Sequence, residues 1–503
     1  MKKKNEQAPV AKNDELVLTI TDMSEEGNGI GRTEGYALFV KDTVPGDTVK
    51  VKVMKTKKNF GFARLVELLT PSPDRVEPVC PVAASCGGCQ IMHCDYERQL
   101  SWKEEKVANC LRRIGGVFVM TEKEAEKFSG KTDGQKEGEK NSGKIEDQKN
   151  VYFDSMEGKP VIMEPIMGMD EPYYYRNKAQ FPVGYDSNHC VVTGFYAGRT
   201  HSIIPTDKCY IQAKENEEIL KTICGFLQEE NISLYDEKSH TGLVRHILTR
   251  KGFATGEIMV WLVINGDKLP SAQKLVNRLK TFAGMKSIGI NINKQKTNKI
   301  LGEKCVTLWG EDYITDYIGS IRYQISPLSF YQVNPVQTEK LYGKALEYAA
   351  LEGQENVWDL YCGIGTISLF LAQRAKKVYG VEIVPQAIAD ARQNARLNDI
   401  SNVEFFVGKA EEVLPQQYEE NGIYADVIVV DPPRKGCDSV ALETMLRMAP
   451  KRIVYVSCDP ATLARDVKIL VEGGYELKKV STTDMFPHSG HVETIVALHR
   501  TDM

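Results

Sequence analysis

The sequence predicts an α/β chain whose last third is a doubly wound parallel sheet, preceded by an OB-like β-barrel and a central mixed α/β region. Three observations carry this. Val357–Thr366 followed by the apolar run Ile367–Ala372 reads as a buried strand, a glycine turn and a helix. The next apolar run, Lys377–Val381, ends at Glu382, where such folds place a carboxylate on ribose hydroxyls. Near the start, Leu16–Ile20, Tyr36–Val40, Thr48–Met54 and Phe60–Leu69 are short strands separated by turns at Gly27–Gly31 and Pro45-Gly46.

A length of 503 residues fits about three domains. The expected division is a basic tail over 1–12, the barrel over 13–72, a central domain over 73–325 and the doubly wound domain over 326–503. A formal net charge of −4 exerts no global pull on nucleic acid, so any such binding rests on local basic patches. No apolar run approaches the roughly 20 residues of a membrane helix, and the basic start lacks an apolar signal region. A cytosolic location without membrane association or an obligate protein partner is expected. Twelve cysteines in such a chain point to metal ligands, catalysis or reduced thiols.

Within the barrel, Val49-Lys50-Val51-Lys52-Val53 turns valines inward and lysines outward, and Lys55, Lys57 and Lys58 extend the basic run. With Phe60 or Phe62 exposed, this face suits RNA; the alternative is a solvated edge with the phenylalanines in the core. Next, Cys80, Cys86 and Cys89 stand with five and then two residues between them, around glycines. Cys209 is the preferred fourth thiolate and Cys94 its competitor; four thiolates suit structural zinc or a 4Fe–4S cluster alike. Tyr96–Ile114 reads as a helix, and 121–150, poor in large apolar residues, as a flexible insertion. Tyr173-Tyr174-Tyr175 reads as a strand with one packed face in preference to an RNA-gripping cluster.

In the last third, Gly363 and Gly365 admit close approach of a ligand, and Thr366-Ile367-Ser368 replaces the third glycine of a dinucleotide fingerprint. A single adenosyl ligand without pyrophosphate, S-adenosylmethionine, fits better. Pro385 opens a helix through Asn398. The strand Ala425–Val430 delivers Asp431-Pro432-Pro433-Arg434 on a loop stiffened by two prolines. The strand Arg452–Ser457 delivers Cys458 to the start of a helix, where the dipole is expected to favour thiolate, making it a candidate nucleophile as against a plain buried thiol. A closing strand pair carries His488, His491 and Glu493 at its junction; one of these is a base or a surface residue.

Taken together, these residues resemble the RNA uracil-5 methyltransferases, and within them the group with an N-terminal TRAM domain and an iron–sulfur cluster that modifies 23S ribosomal RNA. The likeness rests on Cys80, Cys86, Cys89 and Cys209, Phe330–Pro335, Asp359–Thr366, Asp431–Arg434, Ser457–Pro460 and His491-Val492-Glu493. It implies a Rossmann-like class I methyltransferase domain, a 4Fe–4S cluster on those four cysteines, and Gln332, Tyr361, Glu382 and Asp431 around S-adenosylmethionine. It further implies Cys458 as nucleophile, Glu493 as base, Phe330 holding the RNA or the base, and Arg434 supporting the loop or the developing charge. The sequence departs from many methyltransferases where Lys409 replaces the acidic residue after the third strand. A cytosine-5 enzyme would carry cysteine where Asp431 stands, an amino-methyltransferase an aromatic residue at Arg434, and a radical enzyme a different cysteine spacing. Transfer RNA as substrate and a non-catalytic RNA-binding role are the remaining alternatives.

Overall fold

A computed structural model describes residues 8–129, 158–198 and 200–501. The chain forms two compact units, each assembled from three segments: Met1–Trp102, Met169–Val336 and Phe486–Gly490 in one, Lys103–Gly168, Gln337–Met485 and His491–Met503 in the other.

The first unit begins with a closed five-stranded barrel of Glu15–Met23, Gly29–Thr33, Tyr36–Val40, Thr48–Thr56 and Phe60–Thr70. Val49, Val51 and Val53 are fully buried in it, as the alternation demands. Asp47 locks the barrel's exit: it accepts from the backbone of Val44 and Ser72 and pairs with Arg75 at 2.6 Å. Beyond the barrel lies a seven-stranded sheet in the order Ile203–Pro205, Val191–Tyr196, Lys178–Tyr185, Val244–Lys251, Ile258–Ile264, Met285–Ile292, Lys304–Gly310. Its single parallel pair, Ile258–Ile264 with Met285–Ile292, needs a crossover, which helix Ala272–Leu279 supplies. Every residue of Ile258–Ile264 is buried. Tyr173–Tyr175 is irregular where a strand was expected: Tyr175 is core, Tyr173 stacks on His488 and Tyr174 packs near Tyr210. Tyr174 N donates to Tyr210 O, and the following Arg176 N to Ile211 O, in place of a ladder.

The second unit is the doubly wound domain. Its sheet runs Val403–Val407, Lys377–Glu382, Asn356–Leu360, Val427–Val430, Arg452–Ser457, Glu493–Arg500, Tyr475–Thr483, all in one direction except Glu493–Arg500, which is antiparallel to both of its neighbours. Order reverses beside Asn356–Leu360, so a crevice opens at the carboxyl ends there. Trp358 anchors the core, stacked on Tyr379 and Phe406 at 5.2 and 5.8 Å.

The expected flexible insertion begins with a helix, Glu122–Ser129. Thr121 and Glu124 cap it reciprocally: Thr121 Oγ1 accepts from Glu124 N, and Glu124 accepts from Thr121 N. Arg112 then holds Glu124 at 2.9 Å. Residues 130–150 of the insertion, with the following 151–157 and residues 1–7 of the basic tail, lie outside the described residues. Among the described residues no helix is long and apolar enough to cross a membrane.

Candidate active site

Five elements of the doubly wound unit bring their ends to one edge of the sheet. Tyr361, Asp431 and Cys458 follow the carboxyl ends of three parallel strands, Glu382 is the last residue of a fourth, and Glu493 opens an antiparallel strand whose Thr494 pairs with Ser457. Both strand directions therefore deliver side chains to the same crevice.

The two glycines divide the work. Gly363 has φ +56° and nothing within 4 Å of where a Cβ would stand, leaving open space for a ligand; its N–H donates to Glu382 Oε2 at 3.2 Å. Gly365, φ +80°, is closed instead by protein, with Ala391 and Phe405 at 3.1 Å from that Cβ position. Its absent side chain serves helix packing. Tyr361 is itself left-handed, φ +68°, an unfavourable conformation for a tyrosine, and turns its hydroxyl toward Cys437 and the backbone of Asp438.

Two further groups went unassigned in the sequence. Asp359 is fully buried; Oδ2 accepts from Ser368 Oγ at 2.5 Å while Oδ1 has no hydrogen-bond partner. Burial, with the charges of Asp431 and Glu382 beside it, raises its pKa to about 7. Tyr342, also buried, meets Thr366 Oγ1 at 3.0 Å and lies in the field of Asp431, Asp359 and Glu493. The sequence signal for Asp359 was a lone carboxylate in the apolar strand Val357–Leu360. Lys409, by contrast, points along the surface to Glu412 at 2.7 Å.

Cys458 is half-buried, and the structure reverses the expected shift of its thiol. Burial and the carboxylates of Glu493 and Asp431 push its pKa up to about 11, against a smaller opposing pull from Arg434. The helix N-terminus does not rescue it, because Asp459 is the cap and already accepts from Ala461 N and Thr462 N at 3.0 Å. Asp431 and Glu493 are likewise both raised: burial disfavours their charged forms, and Asp431 additionally raises Glu493.

The same helix, Pro460–Glu472, grips the Asp431–Arg434 loop. Thr462 Oγ1 donates to Arg434 O at 3.1 Å, Arg465 to Lys435 O at 3.0 Å, and fully buried Asp466 accepts from Cys437 N at 2.9 Å and Tyr455 OH at 2.6 Å. Gly436, φ +78°, makes this possible, since a Cβ there would stand 2.4 Å from Arg465. The Cys458 turn and the Asp431–Arg434 loop thus share one support, the helix Pro460–Glu472.

This geometry predicts the pH response of the thiol. Alkylation of Cys458 by iodoacetamide, followed on its own peptide by mass spectrometry, should climb with pH toward about 11. Removing an anion with Asp431→Asn should move that profile to lower pH, and removing a cation with Arg434→Ala should move it higher. A profile indifferent to Asp431→Asn would take the carboxylate out of the thiol's field.

The remaining site residues belong to the first unit. Gln332 is buried in an irregular segment; its carbonyl accepts from Asn177 Nδ2 at 2.9 Å, and buried Arg250 donates to Pro327 O and Ser329 O nearby. Phe330, two residues earlier, is 69 % exposed. Cys80, Cys86, Cys89 and Cys209 together line a cavity of about 270 Å³, with Arg176 in its wall. Burial and their mutual repulsion raise the Cys86, Cys89 and Cys209 thiols, that of Cys209 to about 11. Cys94 packs elsewhere, among Met23, Val44, Ile91 and Trp102. Among the described residues no group of three or more His, Cys, Asp or Glu is drawn close enough to hold a metal ion.

Residues 171–501 match the tRNA (uracil-5-)-methyltransferase family model and residues 9–66 the TRAM domain. The chain is 48% identical to an uncharacterized RNA methyltransferase of Halalkalibacterium halodurans, over 98% of each chain. It is 46% identical to one of Clostridium tetani, over 97% of each. Among solved structures it resembles the Pyrococcus abyssi tRNA (uracil-54, C5)-methyltransferase in complex with S-adenosyl-L-homocysteine. That match has a TM-score of 0.70 and 26% identity, and covers 96% of this chain and 100% of that one.

Proposed function

The chain belongs to the tRNA (uracil-5-)-methyltransferase family, and on that premise we propose that this S-adenosylmethionine-dependent RNA methyltransferase acts on C5 of uracil in 23S ribosomal RNA through a covalent adduct on Cys458. The observation that carries the mechanism is the convergence of Cys458, Asp431, Arg434 and Glu493 on one strand edge, within one another's electrostatic reach. Uracil C5 is a weak nucleophile. Addition of the Cys458 sulfur to C6 pushes electron density onto C5 and O4, so that C5 becomes enolate-like. S-adenosylmethionine supplies the electrophilic methyl group, leaving as S-adenosylhomocysteine. The C5 proton then passes to the Glu493 carboxylate, the C6–S bond breaks and the C5–C6 double bond re-forms.

Open space over Gly363, the carboxylates of Glu382 and Asp431 and the unpartnered Oδ1 of Asp359 fit a cationic adenosyl ligand with free hydroxyls. Tyr361 and Gln332 would complete its binding set, and Gly365 would open the helix beside it. Exposed Phe330 offers a ring to an unstacked base.

Cys80, Cys86, Cys89 and Cys209 would hold a 4Fe–4S cluster: four soft donors around a single cavity, with a guanidinium to offset anionic charge, suit that group. It would brace the loop carrying three of them. Iron and acid-labile sulfide in anaerobically purified protein, lost in Cys209→Ser, would verify this.

The ribosomal assignment draws on this cysteine set beside the barrel. Transfer RNA is the second reading, favoured by the family description and the Pyrococcus abyssi enzyme. Methyl transfer from labelled S-adenosylmethionine to unmodified 23S RNA and, separately, to transfer RNA decides between them, with the product nucleoside mapped by mass spectrometry. 5-Methyluridine in transfer RNA alone would keep the chemistry and replace the substrate.

A further inference from the structure

The carboxyl edge of the second unit holds more acidic groups than the methyl-transfer steps use. Asp359 and Glu493 are buried, and Asp431 follows Val430, the strand partner of Leu360. Buried Tyr342, from helix Pro335–Ala349, lies in the field of all three carboxyl groups, so they share one neighbourhood. Glu382 and the buried Cys362 thiol face Asp359, and Cys458 faces Asp431 and Glu493. Against these stands Arg434, whose charge pulls on Glu493 and Cys458.

Few donors answer this crowding. Asp359 has Ser368 on Oδ2 at 2.5 Å, but its Oδ1 has no hydrogen-bond partner. Among the described residues neither Asp431 nor Glu493 accepts a hydrogen bond on its carboxyl group, and neither is in an ion pair. Carboxylates placed like this cannot all be ionised together, because each charge is costly to desolvate and raises the cost of the next. On its own the cluster therefore keeps protons near neutrality: Asp359 is raised to about 7, and burial raises Asp431 and Glu493 as well. A cation set among these groups does what their protons do, and displaces them.

We propose that Asp359, Asp431 and Glu493 discriminate S-adenosylmethionine from its product by exchange: the sulfonium is bound as a proton passes to solvent, whereas the neutral thioether of S-adenosylhomocysteine displaces none. This rests on S-adenosylmethionine being the ligand of this site. Both ligands carry the same adenosine, ammonium and carboxylate, so their difference isolates the sulfonium. Charge also balances over a turnover. The electron pair on C5 forms the new bond to the methyl carbon, and the sulfur keeps the pair of the bond that breaks. The C5 proton, passing to Glu493, returns to the cluster the positive charge that the sulfonium brought. Product is then held without the attraction that held the reactant.

The sign of the pH dependence follows. S-adenosylmethionine prefers the ionised cluster, so its affinity should rise with pH while the carboxyl groups lose protons and level off once they have lost them. The test is isothermal titration calorimetry of the full-length protein, without RNA, with each ligand in two buffers of different ionisation enthalpy near neutral pH. S-adenosylmethionine should release about half a proton or more per site, and S-adenosylhomocysteine close to none. Between pH about 7.5 and about 6, where both ligands keep their own charges, affinity for S-adenosylmethionine should fall at least about 5-fold and that for S-adenosylhomocysteine less than about 2-fold. Asp359→Asn, which keeps the size of the side chain and an acceptor for Ser368, should lower the proton count. It should also cut the preference for S-adenosylmethionine about 10-fold, through that ligand's affinity alone.

Equal proton counts for the two ligands, or equal pH dependence of their affinities, would overturn the exchange in the parent protein, whatever becomes of the variant. An Asp359→Asn protein with an unchanged thermal transition that lost affinity for both ligands equally would do so too, since a merely structural role weakens both. Uracil methylation is read separately. Its absence alongside proton release specific to S-adenosylmethionine would sink the catalytic reading and uphold the exchange; its presence alongside equal proton counts would do the reverse.

Discussion

Cys458→Ala should abolish methyl transfer to uracil, by at least about 10⁴-fold, because the nucleophile proposed here has no substitute among its neighbours. Asp431 and Glu493 are carboxyl groups that burial makes harder to ionise, and Arg434 is a cation. None of them adds to C6. The substitution should leave the fold intact, since Cys458 sits in a turn and contributes no hydrogen bond to the cap that Asp459 makes. S-adenosylmethionine should therefore still bind, measured by calorimetry, while single-turnover transfer is lost. Cys458→Ser should be nearly as inactive, because a hydroxyl in a field that raises even a thiol to about 11 is far from ionised. Retained transfer in the alanine protein would end the covalent mechanism and reopen direct attack by C5.

The barrel and the doubly wound sheet were legible in the sequence because they depend on local pattern. Alternating valines announced the barrel, and the runs around Val357, Val427 and Val454 announced a sheet covered on both faces. What was illegible depends on which distant groups meet. Cys458 looked activated because its own helix was visible; the anions that oppose it arrive from Asp431 and Glu493, on two other strands. Gly363 and Gly365 looked alike, yet one faces open space and the other Ala391 and Phe405. Asp359 gains its standing from burial, from Ser368 across the turn and from Asp431 and Glu382 at the ends of the neighbouring strands. At Thr121 the missed helix had a local signal, the reciprocal cap with Glu124, hidden by reading composition over the whole of 121–150.

Glu493→Gln should not simply slow the enzyme; it should trap it. Glutamine cannot accept the C5 proton, so elimination falters after the methyl group has moved, and turnover should drop about 10³-fold. Upstream steps gain from the same change. Glu493 is one of the anions that raises the Cys458 thiol, so neutralising it favours thiolate and addition to C6. Faster entry and blocked exit together should accumulate a methylated RNA joined to Cys458, seen as a slow band on a denaturing gel that carries label from S-adenosylmethionine and disappears in the Cys458→Ala/Glu493→Gln double variant. The wild-type rate should meanwhile rise with pH through neutrality, because thiol and carboxyl must both give up protons and burial has raised both. A Glu493→Gln protein that lost all transfer and formed no adduct would place Glu493 before the methyl step, as the acceptor of the thiol proton, and some other group would then have to take the proton from C5.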